Sequence, residues 1–111
     1  MDIPVIDIVT KEIATIKTSE IMYVNRTGIN GSMFNIAANN KEFRLLTNVE
    51  LIKHLTDDNS LVKTDRATYV NPSKVKRLNN VQMSAEFENG KQASVSKLAY
   101  KEIEQLINKS R

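Results

Sequence analysis

Cysteine is absent from the 111 residues, which excludes a disulfide framework, a thiolate zinc site and a cysteine nucleophile. Three glycines cannot build a GxGxxG or Walker phosphate loop, and with only two prolines they leave little room for a flexible linker. No apolar run approaches the roughly 18 residues that a membrane span needs. The opening Met-Asp-Ile-Pro-Val-Ile-Asp has neither the basic nor the apolar region of a secretory signal. These absences point to a cytoplasmic location with no membrane partner. Histidine occurs once, as His54 in a helical pattern, and the adjacent Asp57 and Asp58 diverge at a helix end. They offer neither a metal site nor a pair of cooperating carboxylates. The expectation is a protein that is not an enzyme, with no cofactor, no metal and no small-molecule substrate.

What is present fits one domain spanning 1–111, with 41% hydrophobic and 26% charged residues, an ordinary globular balance. The formal net charge is only +3, but its distribution is uneven. Between Asn59 and Arg77 stand Lys63, Arg66, Lys74, Lys76 and Arg77 against the single acid Asp65, a net +4 that exceeds the charge of the whole chain. A concentrated basic stretch attracts phosphates or acidic proteins; the alternative is a set of scattered, solvated side chains.

Short segments broken by polar turns about every ten residues make an all-β rhythm. Ile3–Val9, Ile13–Ile16 and Glu20–Val24 read as strands, and Asn25–Gly31 breaks the pattern with turn-forming residues. Ser32–Ala38 and Glu42–Leu46 follow around the tight turn Asn39-Asn40-Lys41. At residues 47–55 the period changes: Leu51, Ile52 and Leu55 form an apolar stripe, and Thr47 with Glu50 has capping-box spacing. Leu61-Val62 and Tyr69-Val70 flank a polar run, and Val75–Leu78 and Val81–Glu88 are further strands. Asn89-Gly90 is a hairpin signal pairing Met83–Glu88 with Lys91–Val95. Ala99, Ile103, Leu106 and Ile107 share one face of a C-terminal helix capped by Ser96, with Lys97, Lys101, Glu104 and Lys109 largely opposite.

The run Leu61-Val62-Lys63-Thr64-Asp65-Arg66-Ala67-Thr68-Tyr69-Val70-Asn71, followed by Pro72 to Leu78, resembles the core of the LytTR DNA-binding domain. That pattern is hydrophobic–x–basic–x–His–Arg–Ser–x, then two hydrophobic residues and Asn. Downstream, Glu88 to Lys97 is similar to that family's closing hairpin and its Val-Ser-Arg corner, and Ile21-Met22-Tyr23-Val24 resembles an early family strand. The resemblance covers about residues 5–107. It implies a mainly β, elongated antiparallel fold of several short sheets with two short helices. It also implies a bacterial response-regulator output domain that controls transcription by inserting loops into successive major grooves of double-stranded DNA. Paired or direct-repeat sites and a homodimer on DNA belong to the same expectation. No receiver precedes the matched region, so the phosphorylation input usual in the family is expected to be absent from this chain.

Carried over residue by residue, the three contact loops become Gly28, Ile29, Asn30, Gly31 and Ser32; Asp65, Arg66 and Ala67; and Val95, Ser96 and Lys97. Two positions depart from the family: Asp65 stands in place of histidine, and Lys97 in place of arginine, which keeps the charge and loses the bidentate fork. Arg66 is the residue suited to reading guanine. Lys63, Lys74, Lys76 and Arg77 suit phosphate contacts, about half of them reaching DNA. Asn30 offers an amide to adenine or serves only the turn, and Ser96 either meets a phosphate at the helix start or acts only as a cap. Asn71 is expected to bond backbone near Pro72. The six aromatic residues read as packing. The alternative reading is a protein-interaction module on the same fold that modulates another regulator without binding DNA, a reading motivated by Asp65.

Overall fold

The computed structural model describes residues 1–46 and 50–110, with backbone only at Asn30, Lys109 and Ser110. The expected cap at Thr47, and whatever the side chains of Asn30 and Lys109 do, lie outside the described residues. The strands are β1 (Asp2–Asp7), β2 (Ile13–Lys17), β3 (Ile21–Thr27), β4 (Met33–Ala38), β5 (Lys41–Leu45), β6 (Val62–Lys63), β7 (Thr68–Val70), β8 (Arg77–Asn79), β9 (Ser84–Glu86) and β10 (Gln92–Ser94). Helix α1 (Glu50–Asp57) follows β5, and α2 (Lys97–Ser110) follows β10. Seven strands form one sheet in the order β2-β1-β5-β4-β3-β7-β6, and three form another in the order β10-β9-β8. Every pairing is antiparallel. The mainly β architecture with two helices is thus the expected one, 36 Å along its longest axis and 27 and 25 Å along the others.

The large sheet is buried on both faces. One face presents Ile3, Val5, Val24, Phe34, Ile36, Phe43 and Tyr69 to Ile52 and Leu55 of α1, which lie three apart on one helix face. The other presents Tyr23, Ala37, Val62 and Val70 to Phe87, Ala93 and Val95 of the small sheet and to Ala99 and Ile103 of α2. The Tyr23 and Phe87 rings meet at 5.4 Å. Among the described residues no helix is long and apolar enough to cross a membrane.

Local chemistry moves several boundaries from those read in the sequence. Strand β1 stops at Asp7 rather than Val9, because the Asp7 carboxylate accepts hydrogen bonds from the Val9 and Thr10 amides at 2.9 and 3.1 Å and turns the chain. Strand β3 continues past Val24 to Thr27. Asn25 is a poor β-former and the segment is polar, yet Asn25, Arg26 and Thr27 find partners in Asn35, Phe34 and Met33, and tertiary pairing overrides propensity. The Asn39-Asn40 turn has φ 51° and 62°, the positive pair of a two-residue hairpin that asparagine tolerates. In the small sheet, Val81 is not a strand residue. Asn79 Oδ1 accepts from the Val81 and Gln82 amides, each at 3.0 Å, and the resulting turn leaves Val81 exposed.

The sheet has two ends with different roles. Strand β3, about 20 Å long at the usual rise, begins where Asn71 Nδ2 donates to the Ile21 carbonyl at 2.7 Å. The same end holds the Asn39-Asn40 turn and the Asn89-Gly90 hairpin, joined by Asn89 Nδ2 donating to Asn40 Oδ1 at 2.9 Å. At the opposite end β3 gives way to the 28–32 loop.

Four carboxylates are held below the ordinary range near pH 4: Asp7 by the Thr10 amide, Glu20 by the Asn39 amide, Asp58 by Ser60 and Glu86 by Arg77. The folded state therefore favours their charged forms. That stability is present above the unfolded value and is lost as pH falls through the lowered folded values. A melting temperature that is level above about pH 5 and declines below about pH 4 is expected, and Glu86→Gln should show a smaller acid decline. A profile independent of acid would contradict it.

Candidate nucleic-acid interface

Each of the three loops is shaped by its own residues before it meets the others. Gly28 leaves β3 with φ 83° and ψ near 180°, a conformation essentially restricted to glycine. Residues 29–31 make one tight turn, and Gly31 closes it at φ 65°. Between β6 and β7, Asp65 Oδ1 accepts from the Ala67 amide at 2.9 Å, and the Thr64 amide donates to the Thr68 carbonyl at 2.8 Å. Ser96 caps α2 as expected, its Oγ accepting from the Ala99 amide at 3.2 Å.

Hydrogen bonds then join the loops. The Arg26 amide donates to the Ala67 carbonyl at 2.6 Å, and its Nε donates to the Gly31 carbonyl at 2.7 Å. The Ser96 amide donates to the carbonyl of the buried Thr64 at 2.8 Å. Loops 28–32 and 64–67 and the 95–97 corner therefore sit together at one end of the large sheet. Arg66 and Lys97 are exposed, close along the chain to the Thr64–Ser96 bond that ties their segments.

Arg26 was not singled out in the sequence, where it reads as part of a polar break. Its guanidinium lies over the Phe34 ring at 5.7 Å while its backbone and Nε hold two loops. A Cβ on Gly31 would stand 2.5 Å from that Nε, so the glycine admits the arginine as well as the turn. Residues 26, 31 and 67 have no spacing that signals this junction, because it forms only when β3 pairs with β7.

The basic stretch between Asn59 and Arg77 does not form a single field. Lys63 and Arg66 lie at the loop end, exposed, and with Lys97 they make no side-chain hydrogen bond or ion pair with other described residues. The Asp65 carboxylate is directed to its own loop backbone rather than to Arg66. Strand β7 then carries the chain to the opposite end. There Lys74 and Lys76 line a cleft shared with Glu20 and Glu88. Arg77 donates through Nε and Nη2 to Glu86 Oε1 at 2.9 and 2.7 Å, and Asn79 holds the other carboxylate oxygen. Asn71 bonds backbone, as expected: its Nδ2 meets the Ile21 carbonyl, and its Oδ1 accepts from the Ser73 amide.

An end that offers cations unpaired among the described residues, free helix-start amides and one glycine-built loop suits a polyanion. Comparison with known proteins gives the same direction. The family model described as LytTr DNA-binding domain matches residues 11–108. A solved LytTr DNA-binding domain from Bacillus cereus superposes with a TM-score of 0.67 at 16% identity, over 95% of this chain and 96% of that one. No curated protein matches the chain.

Gly31→Ala is expected to destabilise the fold by about 1 kcal/mol, since alanine resists positive φ, and to break the Arg26–Gly31 bond. Thermal melting reads the first effect, and backbone amide shifts spreading from residue 31 to Ala67 read the second. Shifts confined to residues 30–32 would contradict the coupling.

Proposed function

This chain belongs to the LytTR DNA-binding domain family and is thus a DNA-binding domain of the transcription-regulator kind; from that premise we propose that it binds specific double-stranded sites through its three joined loops. The loops enter successive major grooves, and no recognition helix is used. A B-form major groove about 12 Å wide admits such elements.

Arg66 is the base-reading residue, its guanidinium bonding guanine O6 and N7 together, an arrangement that discriminates by about 1–3 kcal/mol. Lys63 and Lys97 meet phosphates on either side. At the start of α2 the amides of Lys97 and Leu98 receive a further phosphate, favoured by the helix dipole, and Ser96 orients that end. The 28–32 loop, with Asn30 and Gly31 at its tip, enters beside them. Lys74, Lys76 and Arg77 lie outside this interface. Two copies on paired or direct-repeat sites are part of the same reading.

The observation that carries the proposal is the set of hydrogen bonds from Gly31 through Arg26 and Ala67, and from Thr64 to Ser96, which joins the loops around Arg66, unpaired among the described residues. The alternative of an interaction module without DNA binding rested on Asp65 repelling phosphate. That carboxylate accepts from the Ala67 amide, which directs it to its own loop backbone rather than to Arg66.

Selection from a random duplex pool should enrich one motif. Neutralising about four phosphates predicts that log K falls with log salt at a slope between about −3 and −4. Arg66→Ala should weaken the selected site more than random DNA, whereas Lys76→Ala should leave both nearly unchanged. A flat salt response, or equal effects of the two variants, would overturn the assignment.

A further inference from the structure

Antiparallel pairing sets Arg26 opposite Phe34 and Lys63 opposite Tyr69, so both cations project from the sheet face that α1 covers. There they line a cleft of about 280 Å³ together with Lys53 and Asp57 of α1, floored by the Phe34 and Tyr69 rings, whose centroids are 6.4 Å apart. Neither Lys53, Lys63 nor Asp57 makes an ion pair with another described residue, and the Arg26 guanidinium gives only its Nε to the protein. Three cations from three elements thus converge against one carboxylate, a repulsive arrangement that an anion relieves. Arg26 cannot swing away, because Gly31 holds its Nε and Phe34 supports its face.

We propose that this cleft seats a phosphodiester group of the duplex, with Arg26, Lys53 and Lys63 as its ligands, beside the strand that the loops grip. The inference rests on the DNA-binding reading above and extends the interface onto helix α1. The rim of the cleft is continuous with two loops: Arg26 holds the first, and Lys63 directly precedes Thr64 of the second. A backbone that follows the grooves past these loops meets the cleft next. The aromatic floor keeps water from one side of the anion, which strengthens each charge-assisted hydrogen bond.

Lys53 is the discriminating position, because only use of the cleft brings α1 to DNA. It is exposed, and glutamine has nearly the same helix propensity, so Lys53→Gln should keep its melting temperature. Fluorescence anisotropy over a salt series, with the selected duplex and a random one, should show several-fold weaker binding to both. The slope should become less negative by about 0.9, one phosphate. Lys91→Gln, at the other end of the sheet, should change neither. An unchanged slope for Lys53→Gln with wild-type binding intact overturns the cleft and leaves the loop reading standing, whereas loss of salt-dependent binding by the wild type overturns the loop reading itself. Titration with inorganic phosphate, followed by NMR at Lys53 and Lys63, distinguishes the source. If Lys53→Gln abolishes those shifts without altering the duplex slope, the cleft holds a free anion and the duplex assignment fails.

Discussion

The pairing of β3 with β7 is the contact on which the other features depend. Only three residue pairs make it, Tyr23 with Val70, Val24 with Tyr69 and Asn25 with Thr68. Each pair does something different. Val24 and Tyr69 join the core under α1; Tyr23 and Val70 join the core under the small sheet and α2. Thr68 Oγ1 donates to Asn25 Oδ1 at 3.2 Å at the edge of the loop end. Because successive strand residues face opposite sides, three consecutive positions secure both layers and still deliver the 64–67 loop to the tip of β3. The Arg26–Ala67 bond is the next rung beyond that ladder.

That ladder also sorts the charge. Residues 63–77 look like one basic stretch in the chain, yet β7 crosses the sheet in the middle of it. Lys63 and Arg66 remain at the loop end without a carboxylate partner among the described residues, while Lys74, Lys76 and Arg77 arrive among Glu20, Glu86 and Glu88. A polyanion approaching the protein therefore meets unneutralised cations at one end and screened ones at the other. The net charge of +3 conceals this polarity. At shorter range the Asp65 carboxylate closes the loop that presents Arg66 by accepting from the Ala67 amide.

Strand positions were legible wherever alternation or a turn dipeptide governed them: the Asn39-Asn40 turn, the Asn89-Gly90 hairpin and the apolar stripes of both helices were found where they were read. The misplacements have two causes. At Asp7 and Asn79 a side chain captured backbone amides and ended or delayed a strand. At Asn25–Thr27 a partner strand extended one that propensity would have stopped. The three loops were legible through the order and spacing of the family-like segments, but their union was not.

Amino-acid order alone determined the fold class, the α2 cap at Ser96, and which loops carry glycine and cationic residues, since each follows from local conformational preference and short-range periodicity. Tertiary structure alone decided that three loops distant in sequence share one end, that Arg26 locks two of them, and that three of the five cations in the basic stretch lie at the opposite end. The physical reason is that these outcomes rest on hydrogen bonds and pairings between residues about 30 to 40 positions apart, such as Arg26 with Ala67 and Thr64 with Ser96. A local pattern carries no record of a partner that folding alone brings within reach.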